Sequence, residues 1–294
     1  MYGFIVNKTA GSGKGHNIWK KTEKELKRKK VPYIVAFTKE PNDAGRLTDD
    51  LLNSSVKIVV AVGGDGTVNE AAAALVHKGI PLGIIPAGSG NDFARSLGIT
   101  GNTQQALFRI FKNNPKKIDV LQTGDRCGLT VTGIGFDGKV AETANESPYK
   151  KWFNMFGLGR LSYTVSVLQV LKSFKPVNVT LTIDGRQRVF TDVWLTAVAN
   201  APNYGGNILI CPEAVNNDGC LDICVLHGRN KWPLIRQIPK IYRGKHTSNE
   251  NISFFRGTNV DVHSVIPFLV QSDGELIGET PVRVQIIKEA LTVL

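Results

Sequence analysis

Residues Gly63-Gly64-Asp65-Gly66-Thr67-Val68-Asn69-Glu70 pack three glycines, an acid and a threonine between an apolar run at 57–62 and a helical pattern at 67–77. Glycines let a backbone come close to a phosphate, and a helix N-terminus offers unpaired N–H groups and the positive end of its dipole. Thr67 would cap the helix or bond a phosphate oxygen. The plain alternative is a tight turn with Asp65 or Thr67 as cap. Capping alone does not require so many special residues. A second corner, Pro86-Ala87-Gly88-Ser89-Gly90-Asn91-Asp92-Phe93-Ala94-Arg95, repeats the arrangement, with Asn91 or Asp92 as cap. One glycine turn says little. Two on consecutive strands face one crevice, at the carboxyl ends of strands where α/β sheets bind ligands.

The first turn, Asn7-Lys8-Thr9-Ala10-Gly11-Ser12-Gly13-Lys14-Gly15, is not a Walker A loop, because Lys8 stands where glycine is required and Gly15 where Ser or Thr is. It is left as a phosphate-binding turn of another geometry. No G-x-G-x-x-G with a downstream acid supports a dinucleotide fold. Asp-Gly pairs begin at 65, 137, 184, 218 and 273. Asp184-Gly185 reads as a hairpin turn, and Asp218 and Asp273 look similar by spacing. Gln271-Ser272-Asp273-Gly274-Glu275 also sets two carboxylates around one turn, which suits a general base or a metal ligand as well as a hairpin. The cysteines, Cys127, Cys211, Cys220 and Cys224, form no CxxC pair, and the scattered histidines form no zinc motif, so single buried thiols are expected.

Alternating strands and helices must position these corners: strand 2–6, a basic amphipathic helix at roughly 16–30 with Ile18, Trp19 and Leu26 inward, strand 33–38, helix 42–54, strand 57–62, helix 67–77 and strand 81–85. That order predicts a parallel sheet covered on both faces. Beyond about 118 the pattern turns to period two, at 128–134, 176–183, 187–199, 219–226, 259–271 and 281–293, with helices near 158–172 and 231–243. The expected fold class is therefore α/β plus β: an α/β domain at 1–122, a mostly antiparallel β domain at 123–282, and a last strand at 283–294 that returns to the first domain. The 294 residues are enough for two cores. A net charge of +11, from 36 basic and 25 acidic residues, favours an anionic partner: nucleotide, nucleic acid or an acidic membrane face. The basic runs are short and carry no nucleic-acid module, so no nucleic-acid partner is expected. Without a signal segment or an apolar run of about 18 residues, a cytoplasmic location is expected.

Together these segments resemble the diacylglycerol-kinase-like lipid kinases, in particular the bacterial soluble diacylglycerol and lipid kinases. The resemblance rests on Asn7–Gly11, GGDGTVNE (63–70), PAGSGNDFAR (86–95), TGIGFDGKV (132–140), GLGRLSY (157–163), CPEAVNNDGCLD (211–222) and QSDGE (271–275), in the family's order across nearly the whole chain. GGDGT alone would also suit NAD kinases or 6-phosphofructokinases; GSGNDFAR and QSDGE look like lipid kinases. The resemblance implies a Rossmann-like α/β nucleotide-binding first domain, a β-sandwich for the second, and ATP, with Mg²⁺, in the cleft between domains. It places nucleotide contacts on Asn7, Lys8, Thr9, Ala10, Gly11, Thr38, Gly64, Asp65, Gly66, Thr67, Val68, Asn69, Glu70 and Ser89. Ser89 stands where the family usually has threonine, and it keeps the hydroxyl. An acidic network around Mg²⁺ maps to Asp65, Asp92 and Asp119, a structural metal to Val215, Asp218 and Cys220, and the general base to Glu275. Cys220 replaces a more usual apolar residue, which coordination through the backbone would tolerate.

The implied reaction is transfer of the γ-phosphate of ATP to a lipid hydroxyl, diacylglycerol first among them. The alternatives are another lipid, a soluble substrate as in NAD kinases, or a nonenzymatic nucleotide-binding regulator. A lipid substrate implies transient peripheral contact with an anionic membrane. Lys150–Phe156 and Lys231–Lys245 combine basic and apolar residues suited to that, or to a solvated face over core aromatics. A homodimer through an exposed strand edge is left open.

Overall fold

The computed structural model describes residues 1–146 and 159–294, and its contacts divide them into two compact units, Met1–Ile118 with Glu289–Leu294, and Asp119–Lys288. In the first unit β1 (Tyr2–Val6), β2 (Tyr33–Phe37), β3 (Ile58–Gly63) and β4 (Leu82–Pro86) run parallel in the order β2-β1-β3-β4. All six residues of β3 are buried, as both faces of a covered parallel sheet require. Helices α1 (Ala10–Arg28), α2 (Asp43–Leu52), α3 (Asp65–Leu75), α4 (Asp92–Ser96) and α5 (Thr103–Lys112) follow these strands. Trp19 of α1 is buried among Phe4, Tyr33 and Phe37, with ring centroids 5.4, 5.9 and 6.0 Å away. Such a burial is worth about 2–3 kcal/mol and fixes α1 against β1 and β2. Ile110 of α5 packs onto Gly83, where a Cβ would stand 2.9 Å from its Cγ1.

β5 (Lys116–Thr123) leads into the second unit, where β6 (Arg126–Gly128), β7 (Val131–Gly135), β8 (Val177–Ile183), β9 (Arg186–Ala199), β10 (Leu221–His227), β11 (Ile252–Gly257), β12 (Asn259–Ser264), β13 (Leu269–Ser272) and β14 (Glu275–Glu279) all pair antiparallel. β15 (Val282–Val293) pairs with β12 and, at its far end, Val293 lies parallel to Leu82 of β4. The long β9 pairs with β8 along its first half and with β7 and β10 along its second. Alternation along β10 divides two cores. Leu221, Ile223 and Val225 join one with Leu181, Val260 and Val284, while Cys224 and Leu226 join the other with Tyr204 and Ile252. Helices α6 (Phe136–Glu146), α7 (Gly159–Ser173) and α8 (Lys231–Ile241) complete the unit.

The expected 128–134 stretch holds only the last residue of β6 and the first four of β7, and 259–271 is two strands, β12 and β13, parted by a loop containing Pro267. Proline has no N–H for the ladder, so the pairing stops there. Helix α1 begins six residues before the expected 16, interrupted by left-handed Gly11, Ser12 and Gly13. Among the described residues no helix is long and apolar enough to cross a membrane.

Candidate active site

Asn7 follows directly on β1 and ties three elements together. Its Oδ1 accepts from Thr9 N–H (3.1 Å), Thr9 Oγ1 (2.9 Å) and Ala10 N–H (3.1 Å), and its Nδ2 donates to Thr67 Oγ1 (3.1 Å). Thr67 is therefore not a cap. α3 starts two residues earlier than its periodicity suggested, Gly66 lies in its first turn, and Gly64 takes the N-cap position with no side-chain bond. Asn91 likewise caps by position only. It has φ +53°, accepts from Gly88 N–H and donates to Gly88 carbonyl (2.9 Å each), which closes the second glycine corner.

The two corners touch. A Cβ on Gly88 would stand 2.5 Å from Gly64 Cα, and Ala87 N–H donates to Gly63 carbonyl at 2.7 Å. Only glycines allow this approach, and it brings both loops to one cavity of about 340 Å³. Of the expected nucleotide contacts, Asn7, Thr9, Ala10, Gly11, Thr38, Gly64, Gly66, Thr67 and Glu70 line it. Lys8, Asp65, Val68, Asn69 and Ser89 do not: the Lys8 amine lies 3.7 Å over the Phe37 ring, and Val68 is buried in the helix packing. Lys39, Glu40 and Pro41, in the β2–α2 loop, line the cavity without having been foreseen. The clue was positional, since the loop leaves the carboxyl end of a strand.

Two acids shape that loop. Asp43 Oδ2 accepts from Lys39 N–H (2.8 Å) and Glu40 N–H (3.1 Å), and Oδ1 meets Arg46 (2.9 Å). The Lys39 N–H, then Arg46 and the Glu40 N–H, hold its pKa down to about 2. Glu70 accepts from Asn42 N–H (3.2 Å) and Ala44 N–H (2.9 Å), clasping the start of α2 to α3.

Asp65 and Asp92 converge beside the cavity. From a Cβ placed on Gly90, Asp65 Oδ2 would be 2.8 Å away and Asp92 Oδ2 3.4 Å. Asp65 Oδ1 accepts from Phe93 N–H (3.2 Å), and Asp92 Oδ1 pairs with Arg95 (2.7 Å). Two carboxylate oxygens are thus turned toward one glycine, and oxygen is the donor a hard divalent cation takes.

Asp119 belongs to the second unit, where its Oδ2 accepts from Gly219 N–H and its own N–H donates to Asn216 carbonyl, each at 2.7 Å. The neighbouring Asp218 accepts from Cys220 N–H through Oδ1 (3.0 Å) and is ion-paired through Oδ2 with Arg256. Each of its oxygens thus has one protein partner. Among the described residues no group of three or more His, Cys, Asp or Glu side chains is disposed to hold a metal.

The β13–β14 hairpin sets the two carboxylates at 273 and 275 in different surroundings. Asp273 and Gly274 both have positive φ, +50° and +89°, the mark of a two-residue hairpin turn. The Asp273 carboxylate is turned inward, accepting from Leu129 N–H (2.6 Å), Thr130 N–H (2.9 Å) and the Thr130 hydroxyl. Burial pushes its pKa up against those donors. Gln271 Oε1 accepts from Gly274 N–H (2.7 Å), and its Nε2 donates to buried Asp137 (2.6 Å). Glu275 begins β14 with its side chain exposed. Asp273, Gln271 and Asp137 thus fix the turn, and Glu275 is the carboxylate it presents.

Comparison with known proteins accounts for both units. The family model described as the diacylglycerol kinase catalytic domain matches residues 1–123, and that of the YegS C-terminal NAD kinase beta sandwich-like domain matches 130–294. The diacylglycerol kinase of Mycobacterium tuberculosis (strain H37Rv) is 32% identical over 276 residues, covering 92% of this chain and 86% of the relative. The chain belongs to the diacylglycerol kinase family. It is also 30% identical over 294 residues to a protein of Bacillus subtilis (strain 168) assigned as lipid kinase YtlR, covering 95% of this chain and 94% of that one. A crystal structure of a Bacillus anthracis protein assigned to the diacylglycerol kinases superposes with a TM-score of 0.82 at 26% identity, over 99% of this chain and 96% of the other. The chain is thus a lipid kinase with an α/β unit and a sandwich-like β unit, and membership in a kinase family implies ATP as co-substrate.

Proposed function

We propose that this lipid kinase transfers the γ-phosphate of ATP to the hydroxyl of diacylglycerol, forming phosphatidic acid. The observation that carries the reading is the contact of the Gly64 and Gly88 corners, which brings both glycine loops to one cavity next to the Asp65–Asp92 pair. Such corners suit a polyphosphate, because phosphoryl transfer depends on positioning and charge neutralisation. Asn7 and Thr9 would meet the phosphates from the turn between β1 and α1, Gly11 from the start of α1, and Thr38 to Pro41 would border the nucleotide from the β2–α2 loop. Asp65 and Asp92 would hold Mg²⁺, which when bound offsets charge on the β- and γ-phosphates. Asp119 is assigned to that network by resemblance. Glu275, presented by a turn pinned at three residues, would take the proton from the lipid hydroxyl as it attacks.

A membrane-bound substrate calls for surface docking, and α8 supports it. Lys231, Arg236 and Lys240, with Arg243 and Lys245 just beyond, are its cations, and Trp232 (61%), Tyr242 (43%) and Ile238 (37%) are solvent-exposed. The reading of those aromatics as core therefore does not apply to Trp232 and Tyr242. The other docking stretch, Lys150–Phe156, lies outside the described residues.

The substrate is tested by supplying labelled ATP and Mg²⁺ with diacylglycerol, monoacylglycerol, ceramide, a sphingoid base, phosphatidylglycerol or NAD in anionic mixed micelles. Diacylglycerol should carry most of the label. Label on NAD alone would replace the lipid reading with a soluble-substrate one.

A further inference from the structure

The β8–β9 hairpin ends next to the last residues of β11, and a cavity of about 340 Å³ opens there, lined by Ile183, Asp184, Arg186, Arg188, Phe255 and Arg256. Arg186 and Arg188 stand opposite buried Ile183 and Leu181 across the hairpin, so they sit on the same face of it, with their own side chains exposed at its end. The Arg188 guanidinium lies 4.8 Å from the Phe255 ring centroid, a stacking that holds its planar fork in place. Arg256 is steadied by Asp218 and by Asp222, 3.3 Å from its Nε.

Three cations therefore border one concavity whose own acid is Asp184. That carboxylate is engaged elsewhere, accepting from Thr258 N–H (3.0 Å), Thr258 Oγ1 (2.8 Å) and Asn259 N–H (3.0 Å). Among the described residues Arg186 and Arg188 have no ion pair, whereas Arg256 has two. A carboxylate ligand offers one two-oxygen edge, enough for a single guanidinium fork. A phosphomonoester carries close to two charges near neutral pH and three outer oxygens, which match adjacent forks.

We infer that this hairpin mouth is a second phosphate-binding site, taking a phosphomonoester and separate from the nucleotide cavity of the first unit. Its ligand comes either from a lipid phosphomonoester, the product class of a lipid kinase, or from a soluble one. Two probes distinguish the sources: glycerol 3-phosphate in solution, and phosphatidylcholine vesicles with or without phosphatidic acid. Wild type and the Arg186→Ala/Arg188→Ala protein are compared in saturating ADP, so the difference between them isolates this site from the nucleotide cavity and from α8. At least one probe should bind wild type tenfold or more tightly than the variant. Binding of glycerol 3-phosphate marks a soluble source, and binding of phosphatidic-acid vesicles alone marks the bilayer. Because Arg188 packs on Phe255, Arg186→Glu is measured as a second variant that leaves the stack intact, and it should show the same loss. Equal affinity in wild type and both variants, or no binding of either probe to wild type, overturns the inference.

Discussion

At the residue scale, the acids of this lipid kinase divide by what surrounds them. Asp43, Glu70 and Asp273 accept backbone N–H groups and shape loops, whereas Glu275 is exposed at a fixed turn. Asp43 gives this division a pH signature. Its folded pKa, about 2, lies below the ordinary value of about 3.9, so its stabilisation is complete above about pH 4 and fades as pH falls through 2. The urea midpoints of wild type and Asp43→Ala should differ by a constant amount from pH 7 to pH 4 and draw together below that. A gap that stayed constant down to pH 2.5 would show that the ionised carboxylate is not what holds the Thr38–Pro41 loop.

At the scale of elements, the glycine corners make a contrast that can be measured. Gly88→Ala forces a Cβ to 2.5 Å from Gly64 Cα and should cost about 1–3 kcal/mol of stability, with weakened ATP binding. Gly66 has nothing within 4 Å of its Cβ position and sits in a helix, so Gly66→Ala should leave stability equal or raise it by up to about 1 kcal/mol. Urea unfolding of both checks this, and equal losses would contradict the packing. The strands around these corners were legible because buried apolar runs and glycine breaks are local signals; β1, β3 and β4 fall within a residue of their expected bounds. What the sequence hid is long-range. Asp273 bonds to residues more than 140 positions earlier, and Glu70 to the start of a helix 26 positions earlier, and no local pattern marks either. β14 was missed because ELIGE, with both ends charged and a glycine within, lacks period-two apolarity. α6 was missed because Gly138, packed against the Leu269 carbonyl, reads as a turn residue.

At the scale of the whole molecule, the proposed docking on an acidic bilayer rests on a net charge of +11 and on the basic, aromatic α8. Each basic residue near such a surface contributes about 1 kcal/mol, so reversing Lys231, Arg236, Lys240 and Arg243 should weaken binding to anionic vesicles more than a hundredfold. Unchanged co-sedimentation would remove α8 from the docking surface. The central claim is that ATP is held by the glycine corners while Glu275 activates a lipid hydroxyl. The most direct test compares wild type with Glu275→Gln for ATP affinity and for transfer of labelled phosphate to diacylglycerol. The account predicts unchanged ATP affinity and turnover lowered by at least about 100-fold, the range of a lost general base. Full turnover in Glu275→Gln would contradict it.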